Sequence, residues 1–280
     1  MAWWKEQIGV RLLSDATPAL IAECRDKLER GRTHQGEDRS PATVNRYLAA
    51  LSHAFTVAVN EWGWLDDSPM RKVKKVKEPG GRVRFLSDDE RRRLLDACRA
   101  SKNAALYPVV VVALSTGMRE GKILGLYWKA PKEPPKDRAW GVVDASAARI
   151  TLHQTKNKER RVLPLSGHAL ELVRELAKVR SLNTTLLFPG RKPEQPVDLR
   201  FAWVNALEQA GIQDFRFHDL RHSAASYLAM NGTSLNEIAE VLGHKTLQMV
   251  RRYAHLSEAH TGQVIASMNE KIFGGVGGNG

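Results

Sequence analysis

The sequence predicts a mainly α protein of two domains: a small all-α domain, then a larger α-rich domain holding a small antiparallel β-sheet. Three observations carry this. Apolar residues recur at helical spacing over most of the chain. A basic stretch broken by Pro79-Gly80-Gly81 separates two such helical regions. One short region only, ARITLHQTK followed by RRVLPLS, alternates or clusters β-formers. At 280 residues, 42% of them hydrophobic and 26% charged, the chain has the length for two modest domains and a composition that argues against wholesale disorder.

Taken in order, the elements justify that class. TPALIAECRDKLERG, Thr17 to Gly31, reads as a helix closed by a glycine. In SPATVNRYLAALSHAFTVAVNEW, Ser40 is placed to cap a second helix and Pro41 suits its first turn. Its apolar stripe is Val44, Leu48, Leu51, Phe55 and Val59, and Trp62 and Trp64 are expected to plug the end of this small domain, 1–70. Residues 71–85 form a basic linker, with seven basic residues against one acid from Arg71 to Arg84. Such a segment is either a solvated strap or one lying along a phosphate backbone.

The larger domain, 86–273, opens on LSDDERRRLLDAC, where Ser87 and Glu90 have capping-box spacing. An apolar helix over 104–115 follows, then TGMREGKILGL, expected to open a further helix. On that helix Arg119 and Lys122 would share one face, a like-charge spacing that costs a few tenths of a kcal/mol even when exposed. The two β-rich runs form a hairpin about the turn 157–159. From 166 to 272 the pattern is helical except for a loop near 187–196, and the tail 274–280, GGVGGNG, is flexible.

The charge balance, 43 Lys and Arg against 31 Asp and Glu, gives a net +12 and favours a polyanionic partner. No basic amphipathic helix with an aromatic face is present, which argues against an anionic membrane surface. Cys24 and Cys98 alone make neither a disulfide framework nor a zinc site, and both are expected to be buried apolar residues. MAWWKEQIG lacks the basic start and apolar run of a signal peptide, and no apolar run reaches a membrane span, so a cytoplasmic protein is expected.

Three segments of the larger domain concentrate chemistry. FHDLRHSAASYL supplies His218 and Arg221; LGHKTLQMVRRYAHLS supplies His244 and then Tyr253, flanked by Arg251, Arg252 and His255. The hairpin turn adds Lys156 and Lys158, and Arg119 completes the set. No carboxylate pair accompanies them, as a Mg²⁺ nuclease site would need. His218 and His222 have zinc-pair spacing but lack the glutamate and third ligand. Nor is there a Gly-rich loop followed by Lys-Ser/Thr to bind a nucleotide. Arginines and a lysine gathered round a hydroxyl suit metal-free phosphoryl transfer: arginines hold the non-bridging oxygens, and the hydroxyl attacks. Singly, each has a plainer use: His218 capping a helix, Arg221 paired with Asp214 or Asp219, Tyr253 packed in a core.

Together these residues resemble the boxes of the phage-integrase-type tyrosine recombinase family. Thr116-Gly117-Met118-Arg119 matches its Thr-Gly-x-Arg box, His218 to Arg221 its His-x-x-Arg box, Leu242-Gly243-His244 its Leu-Gly-His box, and Arg252 to His255 its Arg-Tyr-x-His ending. The similarity runs from about Trp3 to Ile272. It implies a two-domain clamp on duplex DNA, the small domain being core-binding and the larger one catalytic. It also implies site-specific cleavage and rejoining of DNA through a 3′-phosphotyrosyl intermediate, with no cofactor, metal or ATP. Tyr253 matches the nucleophile, Arg119 and Arg221 the phosphate-holding arginines, His218 and His244 the positions that assist proton transfer and bond the phosphate, and Lys156 the general acid. Arg46, Lys72, Lys74, Lys75, Arg82, Arg84, Lys158 and Arg251 are the further candidates for DNA contact. The implied partners are double-stranded core sites and three further copies in a synaptic tetramer, assembled from a monomer in solution; the amphipathic stretch HTGQVIASMNEKIF resembles the family's docking helix.

The chain departs from the family in places. Lys122 stands where the family has an acid three residues after the arginine, and Glu120 lies on another helix face. The usual start of the first strand is replaced by KAPKEPPKDRAWGVVDASAA. The residues before Thr17 leave little room for the first core-binding helix, which is expected to be absent, and none for an arm-type domain. Two rival readings remain: a recombinase-like DNA-binding protein weakened by Lys122, and a helix-turn-helix transcription factor built on SLNEIAEVLGHKTLQMVRRY with Gly243 in the turn.

Overall fold

The computed structural model describes residues 1–80, 82–136, 138–153, 160–244 and 246–273. The chain divides into two compact units, Met1–Arg82 and Val83–Gly280. Among the described residues no helix is long and apolar enough to cross a membrane.

The first unit is helical. α1 (Ala2–Ile8) exists despite the little room expected for a helix there, because Trp4 buries itself in the core and donates its indole N–H to the Tyr47 carbonyl at 2.8 Å. α2 (Pro18–Glu29) starts at Thr17, whose hydroxyl accepts from the Leu20 amide, and α3 (Pro41–Asn60) starts at Ser40, whose hydroxyl accepts from the Thr43 amide. In both, proline fills the first turn, where its missing N–H costs nothing. Val44, Leu48, Leu51 and Phe55 bury the α3 stripe against Ile21, Cys24 and Leu28 of α2, with Ala58 buried where Val59 was expected.

Trp62 and Trp64 do not plug this domain. They are 54% and 63% exposed and rest on each other, ring centroids 4.3 Å apart, because α3 has ended at Asn60 and the chain turns outward at Gly63. The basic segment is also less free than its composition implies. Asn45, buried on α3, donates its amide N–H to the Val76 carbonyl and accepts from the Val76 amide, at 2.9 and 3.0 Å. Val73 and Val76 pack on the same core, so the alternation of valine with lysine puts one set inward and leaves Lys72, Lys74 and Lys75 exposed.

In the second unit, α4 (Asp88–Arg99) begins with the expected Ser87–Glu90 capping box. α5 (Leu106–Thr116) runs through the core with Val109, Val110 and Val112 fully buried, and Gly117 ends it in a left-handed conformation, φ +61°. α6 is short, Glu120–Leu124. The four-stranded sheet is β1 (Leu126–Tyr127), β2 (Trp140–Asp144), β3 (Arg149–His153) and β4 (Arg160–Pro164), in that order. β3 and β4 are the antiparallel pair expected of the hairpin, with Ile150 opposite Leu163. The sheet is mixed rather than purely antiparallel: β1 lies parallel to β2, since the long excursion between them returns the chain in the same direction. β2 sits inside what the sequence offered only as a replacement segment, held by the buried Val143 and by Trp140 stacked on His153 across the pair.

α7 (Gly167–Lys178), α8 (Arg200–Gln209), α9 (Asp219–Met230) and α10 (Leu235–Leu242) complete the body. After α10 the helix-turn-helix reading fails. Past Gly243, at φ +67°, come the 3₁₀ turns Leu247–Met249 and Arg251–Ser257 in place of a recognition helix. Val250 and Tyr253 of this stretch are buried on Ala225 and Ala229 of α9 and on Ile238 and Leu242 of α10, fixing its path against that small apolar core. α11 (Glu258–Phe273) follows. Both cysteines are buried and free, and burial pushes the Cys98 thiol up to about 12.

Candidate active site

Two glycine-ended helices meet at the centre of the second unit. A Cβ on Gly117, at the end of α5, would run into the Leu242 side chain at the end of α10, so their ends are in close contact. The last carbonyls of a helix have no intrahelical partner and carry the negative end of its dipole. Arg221, in the first turn of α9 and 5% exposed, serves both helices: Nη1 donates to the Gly117 carbonyl at 2.6 Å and Nη2 to the Leu242 carbonyl at 2.9 Å. Arg161 reaches over from β4 and donates Nη2 to the Glu240 carbonyl at 2.8 Å and to that of Val241. A Cβ on Gly243 would strike the Arg161 guanidinium, which gives that glycine a second reason besides its positive φ.

The other predicted residues gather around this joint. Arg119 is not on the helix with Lys122, as the sequence predicts; it precedes α6 in an extended conformation, ψ 146°. Its carbonyl accepts from the Lys122 and Ile123 amides, but the residue is exposed and its side chain makes no hydrogen bond or ion pair among the described residues. Its charge acts on Lys122, Arg161, His218, Arg221 and His244. Lys122 is half-buried, and desolvation followed by the charges of Arg119, Arg161 and Arg221 pulls its ammonium down to about 8. Burial, then the charges of Arg119 and Arg161, pull Arg221 down to about 10. His218 stands at the N-terminal edge of α9. Its imidazole is lowered by desolvation, then by Arg119 and Arg221, with Asp219 opposing. His244 follows Gly243, and burial with Arg221 and Arg119 lowers it to about 4. Its buried Nδ1 has no hydrogen-bond partner among the described residues.

Arg119, Lys122, Arg161 and Arg221 thus share one locality without an ion pair to any carboxylate among the described residues. Glu120, the nearby acid in sequence, is itself raised by burial and by Asp198 rather than lowered by a cation. Four unneutralised cations at a partly buried point are costly unless an anion enters. No group of three or more His, Cys, Asp or Glu side chains able to hold a metal occurs among the described residues.

Tyr253 lies on the 3₁₀ stretch after Gly243, 1% exposed, and Arg221 and Arg252 act electrostatically on it. Its hydroxyl is 2.5 Å from Nδ1 of His222. Burial raises the phenol, the two arginines opposing. Lys156 and Lys158 lie outside the described residues. Of the further candidates, Arg46, Lys72, Lys74, Lys75 and Arg251 are exposed. Arg84 is not a free cation: it pairs with both oxygens of Glu90, donates to the Phe85 carbonyl and lies 5.4 Å over the Phe215 ring. That pairing draws Glu90 down to about 2, so Arg84 fastens the start of the unit rather than offering a phosphate contact.

Two residues of the site carry no signal in the sequence. Arg161 reads there only as part of a β-rich run, and His222 only as half of a zinc spacing; neither pattern predicts a bond to Val241 or to Tyr253.

A family model described as the phage integrase family matches residues 84–260, a span holding all of these groups. The chain belongs to the phage integrase family. This member is 33% identical over 251 residues to the shufflon-specific DNA recombinase of Escherichia coli, covering 89% of the chain and 60% of the relative. It is 31% identical over 263 residues to the integrase of Salmonella phage P22, covering 90% and 63%. The chain therefore spans about three fifths of the length of these integrase-family relatives. Among solved structures, a lambda integrase dimer bound to a COC′ core site matches with TM-score 0.67 at 19% identity, over 92% of this chain and 86% of that one. A post-cleavage complex of the XerH site-specific recombinase matches with TM-score 0.69 at 19% identity, over 94% and 76%. At such identities the likeness concerns the integrase fold.

Proposed function

We propose that this chain is a site-specific DNA recombinase that cleaves and rejoins duplex DNA through a 3′-phosphotyrosyl intermediate, without metal or ATP. The supporting observation is the unneutralised cluster of Arg119, Lys122, Arg161 and Arg221 beside a buried tyrosine whose hydroxyl already has a hydrogen-bonding imidazole. A scissile phosphate is the anion that such a cluster lacks. Arg119, exposed and unpaired among the described residues, and Arg221, with only two of a guanidinium's five N–H donors bonded to backbone, take its non-bridging oxygens. His244 and His218 bond the phosphate and assist proton transfer at it. Tyr253 attacks phosphorus, the 5′ oxygen leaves, and Lys156 protonates it. The phosphotyrosyl bond keeps the energy of the broken phosphodiester, so rejoining needs no nucleotide.

The chain's partners in this reading are double-stranded core sites, bound by a small core-binding unit and a catalytic unit, with four copies in the synapse and a monomer in solution. Its likeness to a shufflon-specific DNA recombinase and to a phage integrase supports this reading. The decisive experiment uses a nicked suicide duplex whose core site is first sought by sequencing the flanks of the gene for repeat-bounded inserts. Wild type should trap an SDS-resistant adduct, and Tyr253→Phe should trap none. Tight binding by wild type with no adduct would leave a DNA-binding protein without cleavage; an adduct from Tyr253→Phe would mean another nucleophile.

A further inference from the structure

We infer that His222 is a catalytic residue of this site, the base that takes the proton of the Tyr253 hydroxyl as it attacks; the inference rests on the recombinase reading above. The first observation is geometric. Tyr253 is buried among apolar side chains, Val250, Leu242, Ala225 and Ala229 among them, and its hydroxyl meets Nδ1 of His222 at 2.5 Å. A candidate base must lie within hydrogen-bond reach of the proton it abstracts, and this one does. The contact follows from the fold. His222 follows Arg221 on α9, and the 3₁₀ stretch carrying Tyr253 packs on the same helix.

The second observation is the charge state. Burial lowers the His222 imidazole below its ordinary value, and His218, Arg252 and Arg221 lower it further, with Asp219 opposing. These are the groups that face it: His218, Asp219 and Arg221 on its own helix, Arg252 and Tyr253 on the 3₁₀ stretch. α5 and α10 also pack on α9, and their titratable groups, Tyr107, Glu237 and Glu240, are not among those that shift it. A neutral imidazole has one nitrogen that accepts and one that donates. With Nδ1 facing a phenol that burial keeps protonated, the hydroxyl donates and Nδ1 accepts.

In the attack, the O–H bond of Tyr253 breaks and its proton passes to Nδ1, giving an imidazolium. The phenolic oxygen forms the bond to phosphorus while the bond to the 5′ oxygen breaks, and the leaving oxygen takes a separate proton from the general acid. On rejoining, the 5′ hydroxyl returns its proton to the deprotonated general acid as its oxygen bonds to phosphorus, the bond from phosphorus to the phenolic oxygen breaks, and the imidazolium gives its proton to that oxygen. His218 has its ring 5.5 Å from that of His222 and nearly perpendicular to it, and the charge of Arg119 acts on it.

The test measures adduct formation on the suicide duplex at saturating protein, from pH 5.5 to 9, for wild type, His222→Gln and His222→Ala. Gln keeps a hydrogen bond to the hydroxyl but does not take its proton. At pH 7 it should slow cleavage on the order of 100-fold or more, with DNA affinity and melting temperature near wild type. The wild-type rate should fall on acidification as the imidazole protonates. The Gln variant should instead climb tenfold per pH unit as phenolate forms. Added imidazole should restore His222→Ala in proportion to its free base. A Gln variant within threefold of wild type, or faster than it, overturns the base role, the faster rate meaning that His222 only restrains the tyrosine. If His222→Ala does not fold, the Gln rate and the two pH profiles still decide. An absence of adduct from wild type itself sinks the recombinase reading, a result distinct from a His222 variant that cleaves normally.

Discussion

Lys122 stands where the family resemblance leads one to expect an acid, and its surroundings say what a cation does there. The ammonium is half-buried beside three arginines and is lowered from 10.5 to about 8. Because the folded value lies below the unfolded one, the charged form is disfavoured on folding. The penalty is fully present below pH 8 and disappears as pH rises from about 8 to 10.5. A tenfold change in proton affinity is worth about 1.4 kcal/mol, here discounted for solvent screening, so Lys122→Met should stabilise the free protein by about 1–2 kcal/mol at pH 7. The gain should vanish near pH 10.5, as chemical denaturation across that range would show; an unchanged midpoint at pH 7 would mean that solvent already screens the lysine. Lys122→Glu brings a carboxylate to the same three arginines and should raise cleavage without strengthening DNA binding. Lower cleavage in that variant would place the lysine within the phosphate site.

The joint between α5 and α10 depends on two glycines and one arginine. Gly117→Ala forces a side chain into a left-handed conformation and against Leu242. It should cost about 2 kcal/mol or more, seen as a melting temperature lower by roughly 5 °C, and it should displace Arg119, two residues on. Arg221→Lys should do comparable harm, since an ammonium lacks the planar fork that reaches both the Gly117 and Leu242 carbonyls. Much of this joint was legible in the sequence because each box is a contiguous peptide: a glycine helix end beside a charged residue survives as a local pattern. The capping box at Ser87 and the stripe on α3 were legible for the same reason. What escaped depends on contacts distant along the chain. Arg161 gains its partners only when β4 meets α10, and His222 gains its own only when the 3₁₀ stretch carrying Tyr253 packs on α9. β1 and β2 are short strands separated by a long excursion, too brief for alternation to register. The supposed recognition helix reads as amphipathic, but Val250 and Tyr253 gain more from the apolar surface of α9 and α10 than from continuing a helix.

Across the whole molecule the net +12 is not spread as the sequence alone implied. Arg84 is spent on Glu90, whereas Lys72, Lys74 and Lys75 remain exposed along a segment whose valines are anchored. If those lysines meet phosphates, replacing all three by alanine should reduce the slope of log affinity against log salt by about 2–3 and weaken binding to every duplex alike. An unaltered slope would remove them from the interface. The clamp of Asn45 on Val76 has a further consequence in polymer terms. The basic stretch is about fifteen residues by composition, but it is held by Asn45 as far as Glu78 and held again from Arg84. A segment held at both ends has less conformational entropy to lose when its lysines settle on phosphates than an unanchored strap of the same composition. Asn45→Ala, which releases Val76 without altering any charge, should therefore weaken the affinity of the whole chain for duplex DNA; an unchanged affinity would mean that the anchor serves the fold of the first unit alone.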